Sequence, residues 1–119
     1  MPTLDRVEAF IARVEARDFL GAMEDFYHPD ATAQENASPP RVGRPALLAN
    51  ERATLARFPD TRVREVQHFA IKGDTVFINW VFEMADKDKV RVMDEVVVQC
   101  WRGDRIVSER FYYDPGSIR

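Results

Sequence analysis

Two acidic residues stand where a carboxyl group can move protons. Glu109 alternates with Phe111 and Tyr113 near the end of the chain, and Glu35 lies between Ala33 and Ala37. A carboxyl among apolar groups loses hydration, its pKa rises, and it becomes a general acid or base near neutral pH. Each also has an ordinary interpretation. Glu109 serves equally as the cross-strand partner of an arginine on a convex sheet face, and Glu35 as a solvated residue at the lip of the loop from Asn36 to Pro40. Period-two alternation with Phe111 and Tyr113 argues for an inward Glu109. The phenols of Tyr27 and Tyr113 and the amides of Asn79 and Gln99 have the donors to orient a ligand carbonyl.

Other chemistries have little to build on. His28 and His68 belong to the residue type that titrates near neutral pH, but His28 precedes Pro29 and reads as ordering a turn through its backbone, while His68 has no defined face. Their separation is not a metal-ligand spacing. The single Cys100 excludes an intrachain disulfide and a thiolate-rich zinc site, and reads as a small buried residue. The five glycines form neither G-x-G-x-x-G nor G-x-x-x-x-G-K, so no nucleotide cradle is present. Any chemistry is therefore expected to come from side chains alone, with no cofactor and no metal. A net charge of −3 gives no basic field to attract nucleic acid or anionic membranes. The N-terminus lacks a signal-like pattern and no apolar run approaches the roughly 20 residues that span a bilayer, so a cytoplasmic location is expected.

The elements that must position these residues follow from periodicity. At 119 residues with 45% apolar and 11% aromatic content, one domain over 1–119 is expected. Leu4, Val7, Phe10, Ile11 and Val14 mark an amphipathic helix from about Thr3 to Ala16. Asp18 caps a second helix carrying Phe19, Leu20, Met23, Phe26 and Tyr27, stopped by His28-Pro29-Asp30. Ala31 to Asn36 reads as a short extended piece and Ala37-Ser38-Pro39-Pro40 as a loop. A third helix runs from Arg44 or Pro45 to Phe58, with a face only partly apolar because Asn50, Glu51 and Thr54 share it. From Thr61 the period becomes two, with turns at Lys72-Gly73-Asp74, Ala85-Asp86-Lys87-Asp88 and Arg102-Gly103-Asp104, which implies four strands in an antiparallel meander. Val76, Ile78, Trp80, Phe82 and Met84 form one apolar side of the second. The third, with valines on both sides, has no decisive parity, and the last sets Val107 with Glu109 and opposite Ile106.

Several segments together carry a family likeness: Asp18-Phe19-Leu20-Gly21-Ala22-Met23-Glu24-Asp25-Phe26-Tyr27-His28-Pro29-Asp30-Ala31-Thr32, Val42-Gly43-Arg44-Pro45, Arg102-Gly103-Asp104-Arg105-Ile106-Val107 and Tyr113-Asp114-Pro115. This set resembles the SnoaL-like branch of the nuclear transport factor 2-like superfamily over almost the whole chain. The resemblance implies an α+β fold in which three helices pack into a strongly curved antiparallel sheet, a cone-shaped barrel. It hosts polyketide cyclases, ketosteroid isomerase, limonene epoxide hydrolase and non-catalytic binding proteins. Carried over from the isomerase, Ala31-Thr32-Ala33-Gln34-Glu35 puts Glu35 at the place of the general base. The tyrosine and protonated aspartate of the isomerase oxyanion hole fall on Phe10 and Val97, neither of which donates a hydrogen bond. A standard steroid isomerase is thereby disfavoured. The epoxide hydrolase pattern, an arginine between two inward carboxylates, would draw on Arg91, Asp94 and Glu95, but adjacent residues on a strand face opposite ways. The cyclase pattern needs an inward acid from the sheet, for which Glu109 and Asp94 are the candidates.

The resulting expectation is a pocket for a small, mostly apolar organic molecule. Its catalytic acids are Glu35 and Glu109, and its lining is drawn from Phe10, Val14, Tyr27, Trp80, Phe82, Val97, Gln99, Trp101, Phe111 and Tyr113. Apolar residues on the other sheet face, among them Phe77, Val92, Val96 and Tyr112, imply a homodimer packed sheet to sheet. The alternative is a non-catalytic ligand carrier or dimeric accessory domain whose cone is filled by Trp80, Phe82 and Trp101. A cavity on the order of several hundred cubic ångströms with an inward carboxyl separates the two.

Overall fold

The computed structural model describes residues 1–117. Helix α1 (Leu4–Glu15) is capped by the Thr3 hydroxyl, which accepts from the Arg6 amide at 3.1 Å, and it buries Val7, Phe10, Ile11 and Val14. Helix α2 (Phe19–Phe26) is capped by Asp18, which accepts from the Gly21 amide at 3.2 Å. A side chain at position 21 would collide with that carboxylate, so the glycine is what lets the cap close. Arg13 reaches both Asp18 and Asp25 at 2.6 Å and ties the two helices together. Helix α3 (Arg44–Arg57) follows Gly43 at positive φ and carries Pro45 in its first turn. Leu47 is the one residue of α3 that is fully buried, which leaves the rest of its inner face to line an opening.

The second helix stops before Tyr27, which opens strand β1 (Tyr27–Glu35) instead of closing the helix. Pro29 sits where the β1 ladder slips, between Tyr27 and Thr32, because proline lacks the N–H that a regular ladder uses. His28 orders this stretch through its imidazole and not its backbone: Nδ1 accepts from the Asp30 amide at 3.0 Å.

The remaining strands are β2 (Arg41–Val42), β3 (Asp60–Val63), β4 (Phe69–Lys72), β5 (Thr75–Asp86), β6 (Lys89–Arg102) and β7 (Arg105–Tyr112), with a short 3-10 turn at Pro115–Ser117. Among the described residues the strand order is β2-β1-β7-β6-β5-β3, with β4 also paired to β5. Two features depart from a plain antiparallel meander. The sheet is mixed, since β1 runs parallel to β7. The segment after α3 is split, β3 and β4 pairing with different parts of β5. In the gap between them the Val66 amide donates to the Glu15 carboxylate at 2.8 Å, and His68 is exposed.

Three hairpins close on two-residue loops, with Gly73, Lys87 and Gly103 at positive φ. Their registers settle which side chains face inward. On β5 these are Val76, Ile78, Trp80, Phe82 and Met84; on β6 they are Arg91, Met93, Glu95, Val97, Gln99 and Trp101. Asp94, expected as an inward acid, points outward and accepts from Asn79 Nδ2 at 2.8 Å, so neither residue reaches the interior. Cys100 is likewise exposed and not buried. On β7 a register slip opposite Cys100 and Trp101 places Ile106, fully buried, on the same face as Glu109 despite their odd spacing.

The core forms where the sheet's inner face meets the helices. Phe10 is its hub, with ring centroids 5.3 Å from Phe26, 6.2 Å from Tyr27 and 6.0 Å from Trp80 and Trp101. No helix among the described residues is long and apolar enough to cross a membrane.

Candidate active site

Because α3 presents Asn50, Glu51 and Thr54 where a fully apolar helix would pack down, the sheet and helices do not meet everywhere. They leave a cavity of about 350 Å³. Its wall is mostly apolar, from Phe10, Val14, Phe19, Phe58, Trp80, Phe82 and Phe111. Its polar groups are Tyr27, Glu35, Arg41, Glu51, Arg57, Thr61, Arg91, Glu95 and Glu109, with the α3 amide and hydroxyl of Asn50 and Thr54.

Glu109 is held from both sides. Tyr27 Oη donates to its Oε2 at 2.6 Å and Gln99 Nε2 donates to its Oε1 at 3.1 Å. The direction of this chain is dictated from below. Trp101 Nε1, which can only donate, is 3.1 Å from Gln99 Oε1, so the amide of Gln99 must turn its NH₂ toward Glu109. Tyr27 is itself anchored: its carbonyl accepts from Arg44 Nη1 at 3.0 Å and from Arg105 Nη1 at 3.2 Å. Burial pushes the Glu109 carboxyl up from 4.5 to about 7, with the Tyr27 and Gln99 hydrogen bonds holding it back. Burial, and then the charge of Glu109, push the Tyr27 phenol well above its usual range, so it remains a donor.

Glu95 is different in kind. It lies on β6 opposite Trp80, is only 5% exposed, and its carboxyl has no protein hydrogen-bond partner among the described residues. Burial pushes it up from 4.5 to about 8, and the charges of Glu109, Glu35 and Glu51 add to the shift. Glu51 on α3 is also raised, by burial and by Glu35. The cavity therefore holds two carboxyls that burial raises toward or above neutral pH, Glu109 with two protein donors and Glu95 with none among the described residues. Two carboxyls differing in partners and pKa are the arrangement in which one donates and the other accepts.

The pattern of the SnoaL-like domain matches residues 7–109. The chain belongs to this family. With its three helices and mixed sheet, this SnoaL-like chain sits in the nuclear transport factor 2-like superfamily. It is similar to a protein of ketosteroid isomerase-like fold from Catenulispora acidiphila DSM 44928, solved in complex with trimethylamine. That match has TM-score 0.80 and 22% identity, covering 98% of this chain and 90% of that one. A candidate SnoaL-like polyketide cyclase from Mesorhizobium loti matches at TM-score 0.78 and 22% identity, covering 92% and 97%. IdmH from Streptomyces antibioticus, a candidate polyketide cyclase, matches at 0.77 and 20%, covering 96% and 93%. At such identities the likeness is one of fold. No curated protein matches the sequence.

Within the SnoaL-like cavity, the structure brings together Phe10, Val14, Tyr27, Glu35, Trp80, Phe82, Glu109 and Phe111 of the sequence-derived set. Val97, Gln99 and Trp101 are not on the lining: they lie beneath it, no more than 1% exposed, and Gln99 and Trp101 spend their polar atoms on the Glu109 network. Tyr113 lies beyond the end of β7, half-buried and off the lining, where burial and the Glu35 and Glu95 charges raise its phenol. Glu35 is at the rim, its carboxylate 3.3 Å from Arg41 Nη1 and more than a third exposed. The residues that sequence reasoning missed are Glu95 and Glu51. The two-residue turn at Lys87-Asp88 pairs Glu95 with Trp80, already assigned inward, whereas turn chemistry alone bounded that loop only to Ala85 through Asp88. An Asp-Arg-Asp arrangement is not formed, since Asp94 faces out and Arg91 meets no carboxylate among the described residues.

Proposed function

We propose that this SnoaL-like protein binds a compact, mostly apolar carbonyl compound and moves a proton beside the carbonyl without a cofactor, as in an isomerisation or cyclisation. The observation that carries this reading is the unequal pair of buried carboxyls: Glu109 with two protein donors, Glu95 with none. In its ionised form Glu109 takes a proton from the carbon next to the carbonyl. The C–H electron pair shifts into the C–C bond and the carbonyl pair moves onto oxygen, which accepts the Glu95 O–H. Return of the proton from Glu109 to the same or a conjugated carbon restores the carbonyl and the carboxylate. Glu95 thus answers the absence of donors at Phe10 and Val97. Glu35, ion-paired with Arg41, has a lesser part at the rim.

The test is deuterium uptake from D₂O at the activated methylene of 2-tetralone, followed by proton NMR. Acceleration by the parent is expected, with Glu109→Gln losing about 10²-fold or more and Glu95→Gln about 10-fold or more. No acceleration by the parent, or full activity in both variants, would remove the proposal.

The homodimer is likewise proposed through the outer sheet face. Its support is the exposure of Phe77, Val92, Val96 and Tyr112, 38 to 44% each, on one side of neighbouring strands. Sedimentation equilibrium at micromolar concentration is expected to give about twice the 13.8 kDa chain mass. A species of single-chain mass would exclude it.

A further inference from the structure

We propose that the open end of the cavity is an anion subsite, built on Arg91 and assisted by Arg57, that takes the carboxylate of a ligand whose apolar body extends inward toward Glu95. The inference rests on the preceding reading that the cavity accepts a small organic molecule, and it adds that molecule's chemical class: an apolar carboxylic acid with a carbonyl at its far end.

Arg91 stands on the inner face of β6, in the same row as Met93 and Glu95, and lines the cavity. Exposure rises along this row from buried Glu95 to half-buried Met93 and Arg91, so Arg91 marks the end nearer solvent. Its Nε is buried and meets no hydrogen-bond partner among the described residues. The other arginine that lines the cavity besides Arg57 is Arg41, which is already taken by Glu35. Elsewhere Arg13, Arg17, Arg62 and Arg64 have carboxylate partners, while Arg6, Arg44, Arg105 and Arg110 donate to backbone carbonyls. An inward guanidinium with neither kind of partner among the described residues is an unfilled position.

The surroundings sharpen this. The guanidinium carbons of Arg57 and Arg91 lie 4.9 and 5.6 Å from the centroid of the same ring, that of Phe58. Two cations gathered around one ring attract it and repel each other, and an anion between them relieves the repulsion. A guanidinium offers parallel N–H groups that match the two oxygens of a carboxylate, and Arg91 is part of the cavity lining. The inner end disfavours the same anion, because Glu109 and Glu95 there offer a negative charge or an O–H but no cation. The ligand is thereby oriented, acid group outward and carbonyl inward.

The test uses matched probes: ω-(2-naphthyl)alkanoates with one to four methylenes, and their primary amides, titrated calorimetrically into the full chain at pH 7. The parent is expected to bind the best acid about tenfold or more tighter than its amide. Arg91→Met is expected to erase that preference by weakening the acid far more than the amide, and Arg91→Lys to retain part of it because it keeps the charge without the fork. Urea midpoints that match the parent's would show that the variants fold. Equal binding of acids and amides by the parent, or a preference that survives Arg91→Met, overturns the subsite alone. Failure of every probe to bind overturns the subsite and the ligand-cavity reading together.

Discussion

The two ends of β6 treat polar atoms in opposite ways. At Gln99 and Trp101 the indole N–H, both ends of the amide and, across the ladder, both oxygens of Glu109 are engaged in one buried chain that ends on Tyr27. At Arg91 and Glu95, on the same face of the same strand, a guanidinium and a carboxyl lack such partners among the described residues. An unpaired buried polar group costs stability, so the closed end belongs to the structure while the open end is kept at the structure's expense. What the contrast teaches is where to look for recognition: at the groups the fold leaves unpaired. The paired groups next to them supply the rigidity that recognition needs.

The comparison is broken most directly by removing one carboxyl from each end. Glu109→Ala orphans two buried donors at about 1–3 kcal/mol each and is expected to destabilise by roughly 2–6 kcal/mol in urea unfolding. Glu95→Leu orphans none and relieves a desolvated acid, so its midpoint at pH 8.5 is expected to equal or exceed the parent's. Equal losses in the two variants would erase the distinction.

Acidity sharpens it next. Both carboxyls have folded pKa values, about 7 for Glu109 and about 8 for Glu95, above the usual 4.5. The unfolded chain gives up these protons first. The associated stability is fully present below about pH 4.5, falls as pH rises through 7 and 8, and levels off above, a decline on the order of a few kcal/mol. Urea midpoints across pH 4.5 to 9 are expected to fall less in Glu95→Gln than in the parent. An unchanged slope would mean that Glu95 is not the buried acid described.

Trp101→Phe deletes the donor that orients Gln99 and is expected to cost about 1–3 kcal/mol. It should also shift the pH midpoint of 2-tetralone exchange, since Gln99 is then free to turn its oxygen toward Glu109. A stability loss with an unmoved pH profile would make the indole a packing residue only. The smallest effect belongs to the rim: Glu35→Gln breaks one partly exposed ion pair with Arg41, expected at about 0–1 kcal/mol, with exchange within about threefold of the parent. A loss as large as that of Glu109→Gln would move the general base to Glu35.

Much of this was legible in the chain. Helix caps at Thr3 and Asp18, the half-polar face of α3, the three hairpin turns and the inward row of β5 are local patterns, and they appear where periodicity and turn chemistry require. Glu109 facing the cavity also followed from alternation, although the slip near Cys100 shows that alternation alone misplaces Ile106. The acid of β6 was missed because valines occupy both of its faces, so hydropathy carried no parity; only the register to β5 distinguishes Glu95 from Asp94.

The sequence by itself determined the three helices, the hairpin turns and the inward row of β5, because those follow from backbone geometry over a few residues. The tertiary structure alone decided that β1 joins β7 in parallel, that Gln99 and Trp101 serve Glu109 and not the cavity, and that Arg91 and Glu95 stand within it without a partner among the described residues. Burial and pairing depend on what distant parts of the chain place over a residue, and no local period encodes that.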